Sequence, residues 1–357
     1  MPAIYLDHVS KSFHGKAVLR DLNLEVRDGE YLVLLGESGS GKTTTLRAIA
    51  GLEPINGGRV RFGHVDVTDL PARKRNVSMV FQHDGLYPHL SIRDNLSIAR
   101  NRKIDSRELQ SRIEQAATIL EIKPLLDRLP SQLSGGELRR AAMAKSIVRQ
   151  ADVRLLDEPL SALDATVRHQ FQHDLLRCHH SQPASTIHVT HDGNEAMRMA
   201  DRIAVIDQGE IVQVDTPHNI YHHPCCVSVA KSIGSPPINL LDASLKDNQV
   251  KLSDLDCSAS RTESWPNDCS GDFVVGIRPE AFRVRDTSSK TPIPVGGLRF
   301  SARCCWVAEF SGVMHLEFET NGKRITVLTS PEISVRPGEL QDIEVPWQNV
   351  HWFPKNA

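Results

Sequence analysis

The stretch Gly36-Glu37-Ser38-Gly39-Ser40-Gly41-Lys42-Thr43 has residue types and spacing that can hold phosphate. Glycines let consecutive backbone N–H groups turn inward, a following helix points its positive end at the anion, and Lys42 reaches the outer phosphates. Thr43 then offers its hydroxyl to Mg²⁺. A second chemical pair, Asp157-Glu158, closes the run Val153-Arg154-Leu155-Leu156. Side chains alternate along a strand, so adjacent carboxylates at its end point differently and can divide two tasks. Asp157 is expected to hold Mg²⁺ through water, and Glu158 to polarise an attacking water as general base.

Other residues are ambiguous taken singly. Ser134-Gly135-Gly136-Glu137, ahead of Leu138 to Lys145, reads either as a second anion-binding helix end or as a plain cap with a glycine turn. His191 follows Thr186 to Thr190 and could bond a γ-phosphate or the attacking water, or be structural. Phe13 could stack on an adenine ring or fill a core. The cluster His222-His223-Pro224-Cys225-Cys226 lacks a C-x-x-C spacing, and neighbours in sequence rarely converge on one ion; it reads as loop or packing residues.

The elements that must position these groups are legible from pattern. Tyr31 to Leu35 is an apolar strand entering the phosphate cradle, and Thr44 to Ala50 a helix leaving it. Short strands are expected at Ile4 to Val9 and Leu22 to Val26, with Phe13 in the gap between them. A hairpin is expected over Gly57 to Val67, and a buried strand over Val77 to Phe81 that ends on Gln82. From Ser91 to Leu129 apolar residues recur at helical spacing, marking a separate helical lobe. Beyond Gly234-Ser235-Pro236-Pro237 the pattern changes to short alternating strands: Phe273 to Glu280, Ser301 to Phe310, Val313 to Glu319, Arg324 to Leu328 and Asp342 to Phe353.

At 357 residues the chain has room for two domains of ~150 residues each. A formal charge of −2 gives no electrostatic case for nucleic acid as a partner. The first residues lack a basic region followed by an apolar one, so no secretory signal is expected. No apolar run approaches the ~18 residues of a spanning helix, so membrane association is expected only through a partner. Seven cysteines, with adjacent pairs at 225–226 and 304–305, suit a reducing cytoplasm better than a disulfide framework.

Taken in order, the phosphate cradle, Gln82 at a strand end, Ser134-Gly135-Gly136, Asp157-Glu158, Asp164 and His191 resemble the ATP-binding cassette (ABC) ATPases over roughly residues 3 to 235. The resemblance implies an α/β P-loop NTPase cassette over 1–235, with a RecA-like core, an antiparallel β subdomain and a helical subdomain at about 88–150. It implies that Phe13 stacks on adenine and that Gly36, Glu37, Ser38, Gly39, Ser40, Gly41, Lys42, Thr43 and Thr44 hold ATP. Gln82 would sense Mg²⁺ and water, and His191 would act as the switch histidine beside Glu158. In that family Ser134, Gly135, Gly136 and Glu137 of one subunit, with Asp164, close on the cradle of another. This chain has one cradle and one signature, so the resemblance implies a homodimer. Leu86-Tyr87-Pro88-His89-Leu90 would grip a membrane subunit's coupling helix.

Two residues depart from the family pattern. Glu137 stands where glutamine is usual and is expected to bring a carboxylate near the partner's nucleotide, unless it turns toward ribose hydroxyls or solvent. Arg154 interrupts an apolar strand and is expected at an edge, stem buried and head exposed. Residues 236–357 resemble the small C-terminal regulatory β-barrel (OB-like, TOBE) of maltose-type and glycerol-phosphate-type importer ATPases, through Pro237-Ile238-Asn239-Leu240, Gly276 to Glu280 and His351-Trp352-Phe353. Together these resemblances imply the ATPase of a carbohydrate importer, on the cytoplasmic face of a bacterial inner membrane. Its partners would be two integral-membrane permeases and an extracytoplasmic solute-binding protein. Importers of polyamines, sulfate or iron share the same cassette. Soluble cassettes of DNA repair or translation carry coiled coils or a second cassette, which this chain does not show.

Overall fold

The computed structural model describes residues 1–81, 85–99, 104–161, 163–246, 249–255, 257–260, 271–285 and 297–355. Gln82 lies outside them. The chain forms two compact units, Met1–Ile220 and Tyr221–Ala357.

In the first unit β1 (Ile4–Phe13) and β2 (Lys16–Val26) form a hairpin. Both strands run longer than the apolar pattern suggests, and Phe13 is the last residue of β1, paired with Lys16, rather than a residue between strands. The polar residues between Val9 and Phe13 hide the strand because the hairpin is carried by backbone pairing through three register shifts. Next come β3 (Tyr31–Leu35), helix α1 (Lys42–Ala50), β4 (Gly57–Phe62), β5 (Val65–Asp66) and β6 (Val77–Val80). The helical lobe follows as α2 (Ile92–Ile98), α3 (Ser106–Ile119) and α4 (Gly135–Arg149). Strand β7 (Val153–Asp157), α5 (Ala165–Ser181), β8 (Ser185–Thr190), α6 (Gly193–Met199), β9 (Arg202–Asp207) and β10 (Glu210–Asp215) complete the unit.

Strands β2-β1-β4-β5 make an antiparallel sheet, and β10-β9-β3-β8-β7-β6 a second, six-stranded one. Within the latter, β9, β3, β8, β7 and β6 are parallel, as expected of strands joined by helical crossovers. The two sheets enclose one core that includes Leu32, Leu34, Leu46, Ile49, Leu155, Ile187 and Val189. Every residue of β3, β7 and β8 is buried, as in a parallel sheet covered on both faces; β3 reads as a continuous apolar run, whereas β8 carries polar residues inside.

Arg154 corrects an expectation. Strand β7 lies between β8 and β6, not at an edge, and Arg154 is only 3 % exposed. The pairings that make β7 central join Arg154 to Ser78 and Thr186, far outside any local window, so a local pattern cannot reveal which strand is central.

The second unit begins with a helix at Val227–Ser232. Strands β11 (Asn239–Lys246), β12 (Gln249–Leu252), β13 (Cys257–Ser260) and β14 (Gly271–Ile277) precede β15 (Arg283–Val284) and β16 (Gly297–Phe310). Then follow β17 (Val313–Thr320), β18 (Lys323–Thr329), β19 (Leu340–Pro346) and β20 (Val350–Pro354). They form two five-stranded sheets, β13-β12-β11-β14-β20 and β15-β19-β16-β17-β18, around a shared apolar core. The last expected strand is thus two, one in each sheet, separated by a turn at Trp347–Asn349. Asn239 ties the sheets together, donating to the Thr326 carbonyl and accepting from its amide, both at 2.8 Å.

Candidate nucleotide site

The parallel register aligns the ends of three adjacent strands. Leu35 pairs with Thr190, Leu156 with His188 and Asp157 with Val189, so the segments after β3, β7 and β8 emerge side by side. In open α/β sheets the crevice beyond the carboxyl ends of the strands is where ligands bind.

After β3 the chain turns through Gly36–Gly41 into α1. At Gly36 a Cβ would lie 2.3 Å from the Ile206 carbonyl oxygen, which leaves room only for glycine. Gly41 holds φ 109° at the head of α1 and supplies no side-chain cap, so the helix's first N–H groups face the loop. Glu37, Ser38 and Gly39 are exposed, Thr43 and Thr44 half-buried. The Ser40 hydroxyl is buried with no hydrogen-bond partner. Lys42 is buried and folds back over the loop, donating to the carbonyls of Gly36 at 2.8 Å and Glu37 at 2.7 Å. Burial pulls its pKa below the ordinary lysine value, against the opposing pull of Glu158, Asp157 and Glu37. A phosphate gives such a partly desolvated ammonium the anion it lacks.

Thr43 Oγ1 donates to Asp157 Oδ1 at 3.0 Å, bringing together the two residues read as metal ligands. Burial raises the Asp157 pKa, while the Thr43 bond opposes the rise. A desolvated carboxylate beside a hydroxyl is a hard-oxygen donor set that fits Mg²⁺. Glu158 sits in the left-handed region at φ 45°, a conformation unusual outside glycine, and its amide donates to the Val189 carbonyl at 3.1 Å. That turn aims its carboxylate at His191, whose Nδ1 lies 3.5 Å from Glu158 Oε1. Phe13 is 38 % exposed, with Lys11 Nζ 4.7 Å from its ring centroid.

The signature residues stand elsewhere on the unit, at the head of α4. Ser134 caps this helix, and Glu137 bends back so that one carboxylate oxygen accepts from both the Ser134 amide and hydroxyl at 2.8 Å. Those bonds to Ser134 hold the Glu137 carboxyl below its usual pKa range. The carboxylate therefore turns back to the head of its own helix. The sequence carries the signal for this, since Ser-x-x-Glu at a helix start is a capping box. Asp164 caps α5, accepting from the Val167 amide at 3.0 Å.

Beside β6 lies a cleft of about 370 Å³, lined among others by Leu52, Phe81, Tyr87, Ile98 and Lys145. The four apolar side chains are all exposed, and Lys145 Nζ rests 4.8 Å from the Tyr87 ring centroid.

A mainly parallel sheet that carries a phosphate cradle, paired carboxylates and a histidine on neighbouring strand ends, with a helical lobe alongside, defines an ATP-binding cassette. The fold is similar to the dimeric, post-hydrolysis structure of the ATP-binding cassette MJ0796 bound to ADP and Pi (26 % identity, TM-score 0.54, covering 60 % of this chain and 98 % of that one). Residues 19–161 match the family model described as ABC transporter. The chain is similar to the diacetylchitobiose uptake system ATP-binding protein MsiK of Streptomyces coelicolor, 41 % identical over 80 % of this chain and 76 % of that protein. It is likewise similar to the sn-glycerol-3-phosphate import ATP-binding protein UgpC of Paracoccus denitrificans, 40 % identical over 83 % and 82 %. The chain belongs to the ABC transporter family and is an ABC-type ATPase. Among its described residues no helix is long and apolar enough to cross a membrane.

Proposed function

We propose that this chain is the ATP-hydrolysing subunit of an ABC importer for a carbohydrate or sugar phosphate. The convergence of Thr43 on Asp157 and of Glu158 on His191 at adjacent strand ends carries the catalytic half of this reading. The importers to which MsiK and UgpC belong, by their names, support the solute class. Gly36 to Thr44 bind the phosphates, Lys42 neutralises the outer ones, and Phe13 presents an exposed face to adenine. Thr43, Asp157 and Gln82 would hold Mg²⁺, which when bound neutralises charge on the β- and γ-phosphates. Glu158 accepts a proton from the attacking water at its carboxylate, and His191 holds that carboxylate and bonds the γ-phosphate.

The chain has one cradle and one serine-glycine signature, and we infer that a second copy supplies Ser134, Gly135, Gly136, Glu137 and Asp164 to the cradle. ATP binding then closes the homodimer and hydrolysis reopens it. The apolar cleft around Tyr87 fits a short helix of an integral-membrane permease, which would hold the ATPase on the cytoplasmic face of the inner membrane. Two permeases would receive solute from an extracytoplasmic binding protein. In this reading the cassette spans residues 1–235, with its helical subdomain at about 88–150, and residues 236–357 form a regulatory barrel that binds no transported sugar. Co-purification with an integral-membrane permease, and ATP-dependent uptake of a labelled sugar or sugar phosphate by the reconstituted complex, are expected. A chain that co-purifies with no membrane protein would overturn the transport reading.

A further inference from the structure

Beneath His191 runs a buried polar chain that the sequence reading does not use. Thr190, the last residue of β8, donates its hydroxyl to Glu195 Oε2 at 3.1 Å. The same hydroxyl accepts the Asp192 amide at 3.0 Å, so one side chain pins the residues on both sides of His191. Glu195 Oε1 lies 2.6 Å from His188 Nε2, a close polar contact in which neither atom is aligned for a hydrogen bond. His188 Nδ1 lies 2.9 Å from the Tyr31 hydroxyl. Thr190, Glu195, His188 and Tyr31 are each at most 5 % exposed.

One arrangement of protons joins the members of this chain. Burial, reinforced by the Glu195 charge, raises the Tyr31 pKa well above the ordinary phenol value, so Tyr31 keeps its proton and donates it to His188 Nδ1. That fixes the histidine with its proton on Nε2, which points at Glu195. Glu195 then accepts from the Thr190 hydroxyl and lies against His188 Nε2, and the Thr190 oxygen is left to receive the Asp192 amide. Tyr31 opens β3, the strand that ends in the phosphate cradle, so the chain links the strand before Gly36 to the turn that carries His191.

We propose that Thr190, Glu195, His188 and Tyr31 are positioning residues for hydrolysis: they fix the His191 turn against Glu158 and tie it to the cradle strand. The proposal rests on the reading of His191 as the residue that orients Glu158. None of the four touches nucleotide; they act through the Thr190 clamp. A misplacement of a catalytic group by about 1 Å can cost roughly a hundredfold in rate, so loosening the turn should be visible in turnover and not in nucleotide binding.

The test is steady-state ATP hydrolysis by the full chain, with thermal unfolding measured alongside. Thr190→Val keeps the side-chain shape but removes both hydrogen bonds, and should lower kcat about 10- to 100-fold with KM for ATP near the wild type, while the groups left unpaired lower the melting temperature by only a few degrees. Thr190→Ser should restore the rate. In a His191→Ala background Thr190→Val should cost less than about twofold, because the group it positions is gone. Glu195→Gln, with one donor pair mismatched, serves as a second variant with the same expected kcat-only loss. A Thr190→Val enzyme with unchanged kcat overturns the proposal and leaves the His191 reading intact. So does one whose kcat and melting temperature fall together without rescue by serine. If His191→Ala itself hydrolyses ATP at the wild-type rate, the reading beneath the proposal fails and the proposal with it.

Discussion

Replacing Arg154 with methionine should stabilise the first unit. The guanidinium is 3 % exposed on a central strand; its Nη1 has no hydrogen-bond partner, and its Nη2 reaches only the Gln182 carbonyl at 3.5 Å. It makes no ion pair among the described residues, and burial lowers its pKa from the usual arginine value. A buried donor left unpaired costs about 1–3 kcal/mol, and the single long bond returns about 0.5–1 kcal/mol. Methionine follows the same unbranched path with no donors to satisfy, so Arg154→Met should gain about 1–2 kcal/mol. For a unit of about this size each kcal/mol moves the melting temperature by about 2–4 °C, so a rise of about 2–8 °C is expected. Thermal unfolding of the full chain at matched nucleotide concentration checks it. A fall of more than about 2 °C would refute the reasoning, because it would show the guanidinium to be paired and stabilising.

Two further outcomes follow from the same geometry. Glu158→Gln should lower ATP turnover by roughly 10²–10⁴-fold while ATP binding is kept, since the amide cannot accept the water's proton; undiminished hydrolysis would remove Glu158 from that role. In the second unit, burial and then the Arg278 charge depress the His351 pKa to about 4. An unfolded histidine binds its proton near pH 6.5, so its contribution is complete above that value and drains away as pH falls toward about 4. With solvent screening the loss is about 1–2 kcal/mol, and His351→Gln should flatten the unfolding profile of the second unit between these pH values. A profile unchanged by the substitution would assign the acid sensitivity elsewhere.

What could be read from sequence was what is contiguous. The cradle, the Asp157-Glu158 pair and the Ser134 cap each lie within eight residues, so their geometry is set by local backbone chemistry. The capping box at Ser134 and Glu137 was written there too, and it tells where the Glu137 side chain turns. Arg154 was misplaced at an edge because centrality in a sheet is decided by distant pairings. The Tyr31 to Thr190 chain was invisible for the same reason, as its first hydrogen bond joins residues 157 positions apart. Its one sequence trace is polar residues at alternate positions, Thr186, His188 and Thr190, in a strand that also carries Ile187 and Val189. Alternation puts these three on one face, and a fully buried strand with a polar face must contain a satisfied network.

The central claim is that each nucleotide site is built from two copies of the chain. Mixing tests it: Lys42→Ala disables the cradle and Ser134→Arg the signature, and neither chain alone should hydrolyse ATP. In a one-to-one mixture, half the dimers pair the intact cradle of one chain with the intact signature of the other, and hydrolysis should exceed the separate chains by more than about tenfold. A mixture no faster than the sum of its parts would contradict a shared site.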